Sequence, residues 1–475
     1  MNFKSFAFKV SAAMMMAVGL YACSSSDDNG LYEYLSADKM VYLSVNLNEV
    51  YDNAGFEVTP DGVTPTEAFK KIISGNDADK ALALLDMRGI NLEKVVMMLD
   101  VQDNNGDGTI VFGINDKQKF DSYLQNNELT ATNEDGFDVY KLDGKTCLVV
   151  DGDFGLIVDL DGSASATVKG LKDAAAKNPL KSWQMDALSK KHTVAAVMNI
   201  KEIYELSAKE KGLDMGPLSK IGYPVDKDAY GVFTSSLSGL KWEGEYNLCG
   251  ADGKSLEIDI ESYPLATSLL DYVNSKDCIV MLGAMPKNLD YSEILEKVGG
   301  KDAARQVAPV LKSIHSVMLA GGPLDITSYN RGEGWTGVLA LELAPGSAQE
   351  YLNMAKLGAS QFGLPVQKSD NEISVSDLFG INAKLKADGD NLVLSVNTPA
   401  DTDRSSFKAS DFGKLGGMML DIPANTPSIT FMSIPFGIQF KAALVEMGTT
   451  KGYLELTDTK GKLLQNVIEY VASKQ

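Results

Sequence analysis

The chain has 475 residues, and its 44 basic side chains face 64 acidic ones, a net charge of −20 at pH 7. A surface that acidic repels nucleic acid and anionic head groups, and no Lys/Arg cluster offsets it locally, so nucleic-acid partners are excluded. Four cysteines in so long a chain exclude a disulfide-built scaffold, and the length suits about two to three domains with their own cores.

Residues 1–22 read as a secretory signal peptide. Lys4 and Lys9 lead into an apolar run from Val10 to Leu20, shorter than the roughly 20 residues that a spanning helix needs. Cleavage there removes two lysines and no acid, so the mature chain is more acidic still. Cys23 directly follows Leu20-Tyr21-Ala22, and these four residues resemble a bacterial lipobox. The resemblance implies acylation of Cys23 and a membrane partner held through that N-terminal lipid, each buried methylene contributing about 0.8 kcal/mol. Residues 23–30, Cys23 followed by Ser24-Ser25-Ser26-Asp27-Asp28-Asn29-Gly30, bury nothing apolar and form an acidic Ser/Asp tether. Its serine-then-acid pattern resembles the surface-export signal of Bacteroidetes lipoproteins. That implies display on the outer face of the outer membrane, with the periplasmic face as the alternative. Tyr32 and Tyr34, just past the tether, are the expected exposed aromatics.

Two colinear sets of matches then point to an internal duplication. Leu270 to Lys276 mirrors Ile468 to Lys474, Tyr246 to Lys254 mirrors Leu454 to Lys462, and Leu148 to Asp153 mirrors Leu385 to Asp390. Tyr123-Leu124 and Tyr351-Leu352 fall at the same place in the order. The expected domains are therefore a first module over 31–276 and a second, shorter one over 277–475. Within the first, Asn46 to Tyr51 echoes Asn199 to Tyr204, each after an apolar strand. Asn followed three residues later by Glu (Glu49, Glu202) is a capping-box spacing, so both mark strand-to-helix junctions. In the second module Cys278 to Gly283 and Ser428 to Ile434 read as the matching strands.

Lys241 to Leu248 alternates, with Trp242, Gly244, Tyr246 and Leu248 on one face, and Trp335 to Leu343 does the same. Such one-sided strands belong to antiparallel sheets with one packed face. Ala78 to Leu85 and Ala303 to Ile314 carry helical patterns that would cover it. The expected fold class is α+β: two duplicated modules, each a mainly antiparallel sheet packed by helices, with Trp242 and Trp335 in the cores.

Asp103, Asn105 and Asp107 carry oxygen side chains at alternate positions, followed by Gly108 and Ile110, and so resemble a calcium loop. The twelfth position is Ile114 instead of a bidentate carboxylate, and the flanks read as strands. A hairpin using Asn and Gly for its turn accounts for the same residues, so no cofactor is expected and calcium is the alternative. Gly250 to Ser255 ends like a phosphate loop, but Leu248 occupies its first glycine position and no helix follows. Ser405 to Lys408 and Ser369 to Asn371 stand in the wrong order for a penicillin-recognising serine enzyme. His192 and His315 are the only histidines, and each starts an apolar strand, so neither a Ser/His nor a Cys/His mechanism is indicated. Cys147, Cys249 and Cys278 lie beside apolar runs and read as buried thiols.

The opening segment, Ser36 to Asn46 followed by Ala54-Gly55, together with the lipobox and tether, resembles a family of Bacteroidetes outer-membrane lipoproteins of unknown function. The resemblance implies a surface lipoprotein and supplies no activity or catalytic residue. The expected function is a lipid-anchored, surface-exposed, non-catalytic protein binding a small molecule, a glycan or a protein. The alternative is a hydrolase of glycans or peptides working through paired carboxylates, which would need two close buried acids in one cleft.

Overall fold

The computed structural model describes residues 28–59, 62–73, 88–102, 105–160, 162–189, 191–211, 228–256, 258, 260–274, 277–287, 291–322, 336–378, 381–397, 407–425 and 434–474. It is a mixed helix-and-strand fold built on extensive antiparallel sheet, divided by its contacts into two units. The first takes the described residues up to 211, then 228–256 and 460–474. The second takes those from 258 to 459.

In the first unit β1 (Val41–Val45) lies between β4 (Ile90–Gln102) and β10 (Val194–Asn199), antiparallel to both. On one side follow β5 (Asn105–Ile114), β9 (Phe154–Asp159), β8 (Thr146–Asp151), β7 (Phe137–Asp143) and β6 (Ala131–Glu134). On the other follow β11 (Ala229–Ser238) and β12 (Lys241–Gly250), while the short β2 (Glu57–Thr59) and β3 (Gly62–Thr64) pair apart. Both faces are packed. Val95, Met97, Ile110 and Phe112 build one core with α2 (Leu47–Ala54) and α4 (Lys117–Asn126). Tyr42, Val96, Met98, Val111 and Val158 build the other under the N-terminal turns and α5 (Ala164–Lys177).

Local chemistry sets these junctions. Asn46 caps α2 by accepting from the Glu49 N–H, as its spacing predicts, and Asn199 accepts from the Glu202 N–H at the start of α7 (Ile200–Lys211). Asp116 and Ser163 cap α4 and α5 in the same way, and the short α6 (Ser182–Ala187) follows α5.

The chain's last helix, α10 (Leu463–Lys474), belongs to the first unit, where Leu464 and Ile468 pack on the α2 core. Asn53, buried on α2, holds its N-terminus: the side chain accepts from the Leu464 N–H at 2.8 Å and donates to Gly239 O at 2.8 Å. Lys71, in α3 (Glu67–Ile72), donates to the Ala472 carbonyl at 2.7 Å near the other end.

The second unit centres on β13 (Ile279–Ala284), which lies between β14 (Ile314–Gly322) and β20 (Gly416–Ile422). Beyond β14 come β15 (Thr336–Leu343), β19 (Asn391–Val396), β18 (Ile381–Asp388), β17 (Glu372–Leu378) and β16 (Gln367–Lys368). Beyond β20 come β21 (Gly437–Glu446) and β22 (Thr449–Thr457). The turn Thr267–Tyr272 packs Leu269 under Val280, Leu282 and Met318 on one face. On the other face α9 (Ser347–Gln361) covers Ile314, Leu343 and Ile373, with Leu311 of α8 (Tyr291–Ser313) alongside.

The contacts divide the chain at a different place from the pattern of sequence matches. Thr267–Tyr272 joins the second core and α10 joins the first, whereas the matches placed a boundary after residue 276. Residues 28–30, expected as tether, open the helical turn α1 (Asp28–Leu31). Tyr34 is also buried rather than exposed, because its hydroxyl donates to Asp151 at 2.8 Å while Lys172 lies over its ring. Trp242 is 40% exposed, beyond the helix-covered part of its sheet face, with Phe233 edge-on to it at 6.4 Å. The expected helix at 78–85, Trp335 and residues 428–433 lie outside the described residues.

Candidate functional site

A cavity of about 370 Å³ opens in the first unit beside the β4–β5–β9 surface, where α5 rests on the sheet. Its floor is apolar: Met98 from β4, Val158 and Leu160 at the end of β9, and Leu171 from α5. Its polar lining comes from distant segments. Lys39 precedes β1, Lys145 sits in the β7–β8 turn, Thr109 lies midway along β5, Asp159 ends β9, and Thr167 lies on α5.

Hydrogen bonds position most of these. The Lys39 N–H donates to the Tyr42 hydroxyl at 2.9 Å, and that hydroxyl donates to the Ser36 carbonyl. Burial pushes the Tyr42 phenol well above its ordinary pKa, so it stays a neutral structural donor. The Leu160 N–H donates to Lys145 O at 3.0 Å, fixing the turn that carries the lysine. Thr146 donates to Asp159 at 2.6 Å, and Thr167 donates to the Ser163 carbonyl at 3.1 Å. Two lysines and one carboxylate, Asp159, thus line the cavity beside its apolar floor, a lining suited to a small amphipathic ligand.

Among the described residues no group of three or more His, Cys, Asp or Glu side chains could hold a metal ion. Cys23 and Asp103 lie outside the described residues. Asn105 and Asp107 contribute their backbone to β5, where Asn105 pairs with Gln102 across the hairpin. Gly250 to Ser255 is a turn, as its context predicts: Asp252 accepts from the Lys254 N–H, and Trp183 sits against Gly253 and donates to Ala251 O.

The chemically reactive side chains are spread apart. His192 precedes β10, and burial with Lys191 nearby lowers its pKa. His315 stacks on Tyr263 at 3.9 Å in the second unit. Cys147, Cys249 and Cys278 are buried thiols in no disulfide, and burial raises their pKa values, so these three should be silent to a thiol reagent at neutral pH until the protein unfolds.

Among the described residues Asp277 is the carboxylate that burial pushes upward. It accepts from Thr336 at 2.7 Å and from the Asn274 N–H at 2.9 Å, which ties the start of the second unit's central strand to β15. A folded pKa above the unfolded one means stability is fully present below the ordinary Asp range, about pH 4, and falls as pH rises through the folded value. Asp277→Asn should flatten that part of a stability–pH curve from urea unfolding. An unchanged slope would assign the dependence elsewhere.

No protein-family model matches the chain, and no curated protein sequence matches it. Among solved structures it is similar to TP0453. Crystal form III covers 50% of this chain and 89% of that one at 9% identity and a TM-score of 0.31. Crystal form I covers 49% and 83% at 11% identity and a TM-score of 0.29. Crystal form IV covers 46% and 79% at 9% identity, also with a TM-score of 0.29.

Proposed function

We propose that the chain is a lipid-anchored, outward-facing envelope lipoprotein of the Bacteroidetes type that binds a ligand without transforming it, using two copies of one module. The cavity lined by Lys39, Lys145 and α5 carries the ligand-binding reading, because it joins an apolar floor to two lysines that outnumber its one carboxylate, Asp159. The acylated residue is Cys23, and Asp27 and Asp28 with the preceding serines form the export signal.

The duplication is supported by topology. The order β6-β7-β8-β9-β5-β4-β1-β10-β11-β12 recurs as β16-β17-β18-β19-β15-β14-β13-β20-β21-β22, strand for strand and in chain order. A side-chain clamp recurs with it. Tyr34 donates to Asp151 at the β8–β9 turn, and Tyr272 donates to Asp388 at the β18–β19 turn, at 3.2 Å. The turn glycines match too, Gly152 at φ 60° and Gly389 at φ 61°. On this reading the first copy begins near Leu31 and the second near Thr267, with α10 as an appended helix.

The binding reading is tested with 1-anilinonaphthalene-8-sulfonate, which has an aromatic body and one anionic group. Saturable binding is expected. Lys145→Glu should weaken it about tenfold, equivalent to 1.4 kcal/mol, and Leu171→Trp, which fills the cavity, should abolish it. Binding unchanged in both variants would rule this cavity out.

A further inference from the structure

Helix α9 departs from the usual division of a surface helix into one buried apolar face and one polar face. Ala348, Leu352 and Ala359 turn toward the sheet and are buried. On the opposite side Met354 is 59% exposed and Leu357, three residues on, is 62% exposed. The helix ends at Phe362, 83% exposed, and the turn beyond it adds Leu364 at 46%. Single exposed apolar residues are ordinary, but four along one helix and its exit mark a contact surface.

Charge sets this tip apart from the rest of the chain. From Tyr351 to Ser369 there are two lysines, Lys356 and Lys368, and no acid, in a chain of net charge −20. Among the described residues neither ammonium group pairs with a carboxylate. Lys356 donates to the Asp370 carbonyl at 2.7 Å, and Lys368 donates to the Lys356 carbonyl at 3.1 Å and to Ser360. Glu372, on β17, pairs with Lys384 of β18 instead.

We propose that this tip is a membrane contact. Met354, Leu357, Phe362 and Leu364 enter the boundary between the head groups and acyl chains of a phospholipid bilayer, and Lys356 and Lys368 meet its phosphates. Phe and Leu flanked by Lys are the residues that seat a helix in that boundary, and lysine stems reach from it to the head groups. Among the described residues no helix is long and apolar enough to cross a membrane, so α9 lies on the surface. The choice of a bilayer rests on the anchoring reading. A lipid on Cys23 would hold the chain at a bilayer, and tethering raises the effective concentration enough for a shallow contact to form. The contact goes beyond that reading, because it engages the second unit, far along the chain from Cys23.

The test uses the full acylated chain carrying Leu357→Cys or, separately, Met354→Cys, each labelled with nitrobenzoxadiazole. The chains are reconstituted into phosphatidylcholine vesicles containing phosphatidylglycerol. Cys147, Cys249 and Cys278 are buried, so the new thiol takes the label, and intact mass verifies one label and the acyl mass. At both positions the emission should shift to the blue and be quenched by doxyl-labelled lipid. A label on Thr132→Cys, exposed in the first unit, should do neither. Phe362→Ser should remove most of the quenching, and Lys356→Glu with Lys368→Glu should weaken it, thermal unfolding showing that the variants are folded. Unshifted and unquenched emission at both positions would overturn the proposal. So would equal quenching at Thr132, or a blue shift that depends on protein concentration and that no lipid quencher reaches, since a second copy would then cover the tip. Failure of the anchoring is a separate result. A chain without acyl mass would overturn the lipid on Cys23, while the labelled chain with Cys23→Ser, added to the same vesicles, still reports on the tip through its quenching.

Discussion

A chain ending at Thr459 should lose the fold of its first unit while the second remains folded. The missing helix brings Leu464 and Ile468 onto the α2 core and buries Leu463 and Ala472. Fully burying a large aliphatic side chain contributes about 1.5–3 kcal/mol, so Leu463, Leu464 and Ile468 together contribute at most roughly 4.5–9 kcal/mol. A domain's whole stability is about 5–15 kcal/mol, so little of it would remain. Hydrogen exchange followed by mass spectrometry separates the units directly. Protection should collapse in β1, β4 and β10 and persist in β13 and β14. Asn53→Ala is the milder version. It breaks two part-buried hydrogen bonds and leaves the Leu464 N–H and Gly239 carbonyl without that partner, for about 1–3 kcal/mol. Uniform loss of protection in both units would contradict this picture.

The second large effect lies in the other unit. Gly416 has φ +125°, and a Cβ there would stand 2.0 Å from the Leu282 carbonyl oxygen on the neighbouring central strand. The obstacle is backbone, so no rotamer change relieves it. Gly416→Ala should cost about 2–5 kcal/mol, joining the left-handed backbone penalty to the overpacking of β13 against β20. Gly363→Ala is the control, because Gly363 also has positive φ (+63°) but open space around it. It should cost only the conformational part, about 1–2 kcal/mol. Equal losses in the two variants, measured by urea unfolding of the second unit, would show that the close approach carries no energy of its own.

What was legible in the sequence was local. Asn46 with Glu49 and Asn199 with Glu202 specify helix starts through atoms three residues apart, and the structure contains both. The alternation from Lys241 to Leu248 correctly marks a strand. It does not tell how far along that strand the covering helices reach, so the pattern places Trp242 in a core where the structure leaves it 40% exposed. The sequence around Tyr34 cannot show its burial, because its partner, Asp151, is 117 residues away. The cavity was invisible for the same reason: Lys39, Thr109, Lys145, Asp159 and Thr167 meet only once β1, β4, β5 and β9 are in register. Nor does anything in Leu463 to Lys474 announce which core the helix will join, since its apolar spacing would fit either sheet.

Intact-mass measurement of the protein released gently from its own membranes tests the functional account most directly. The account predicts a chain beginning at Cys23 with added acyl mass, carrying a non-covalently held small anion that Leu171→Trp eliminates. A chain that keeps residues 1–22 and bears no lipid would contradict the anchoring. A ligand-free mass in both the native and Leu171→Trp proteins, with no dye binding to either, would contradict the binding role.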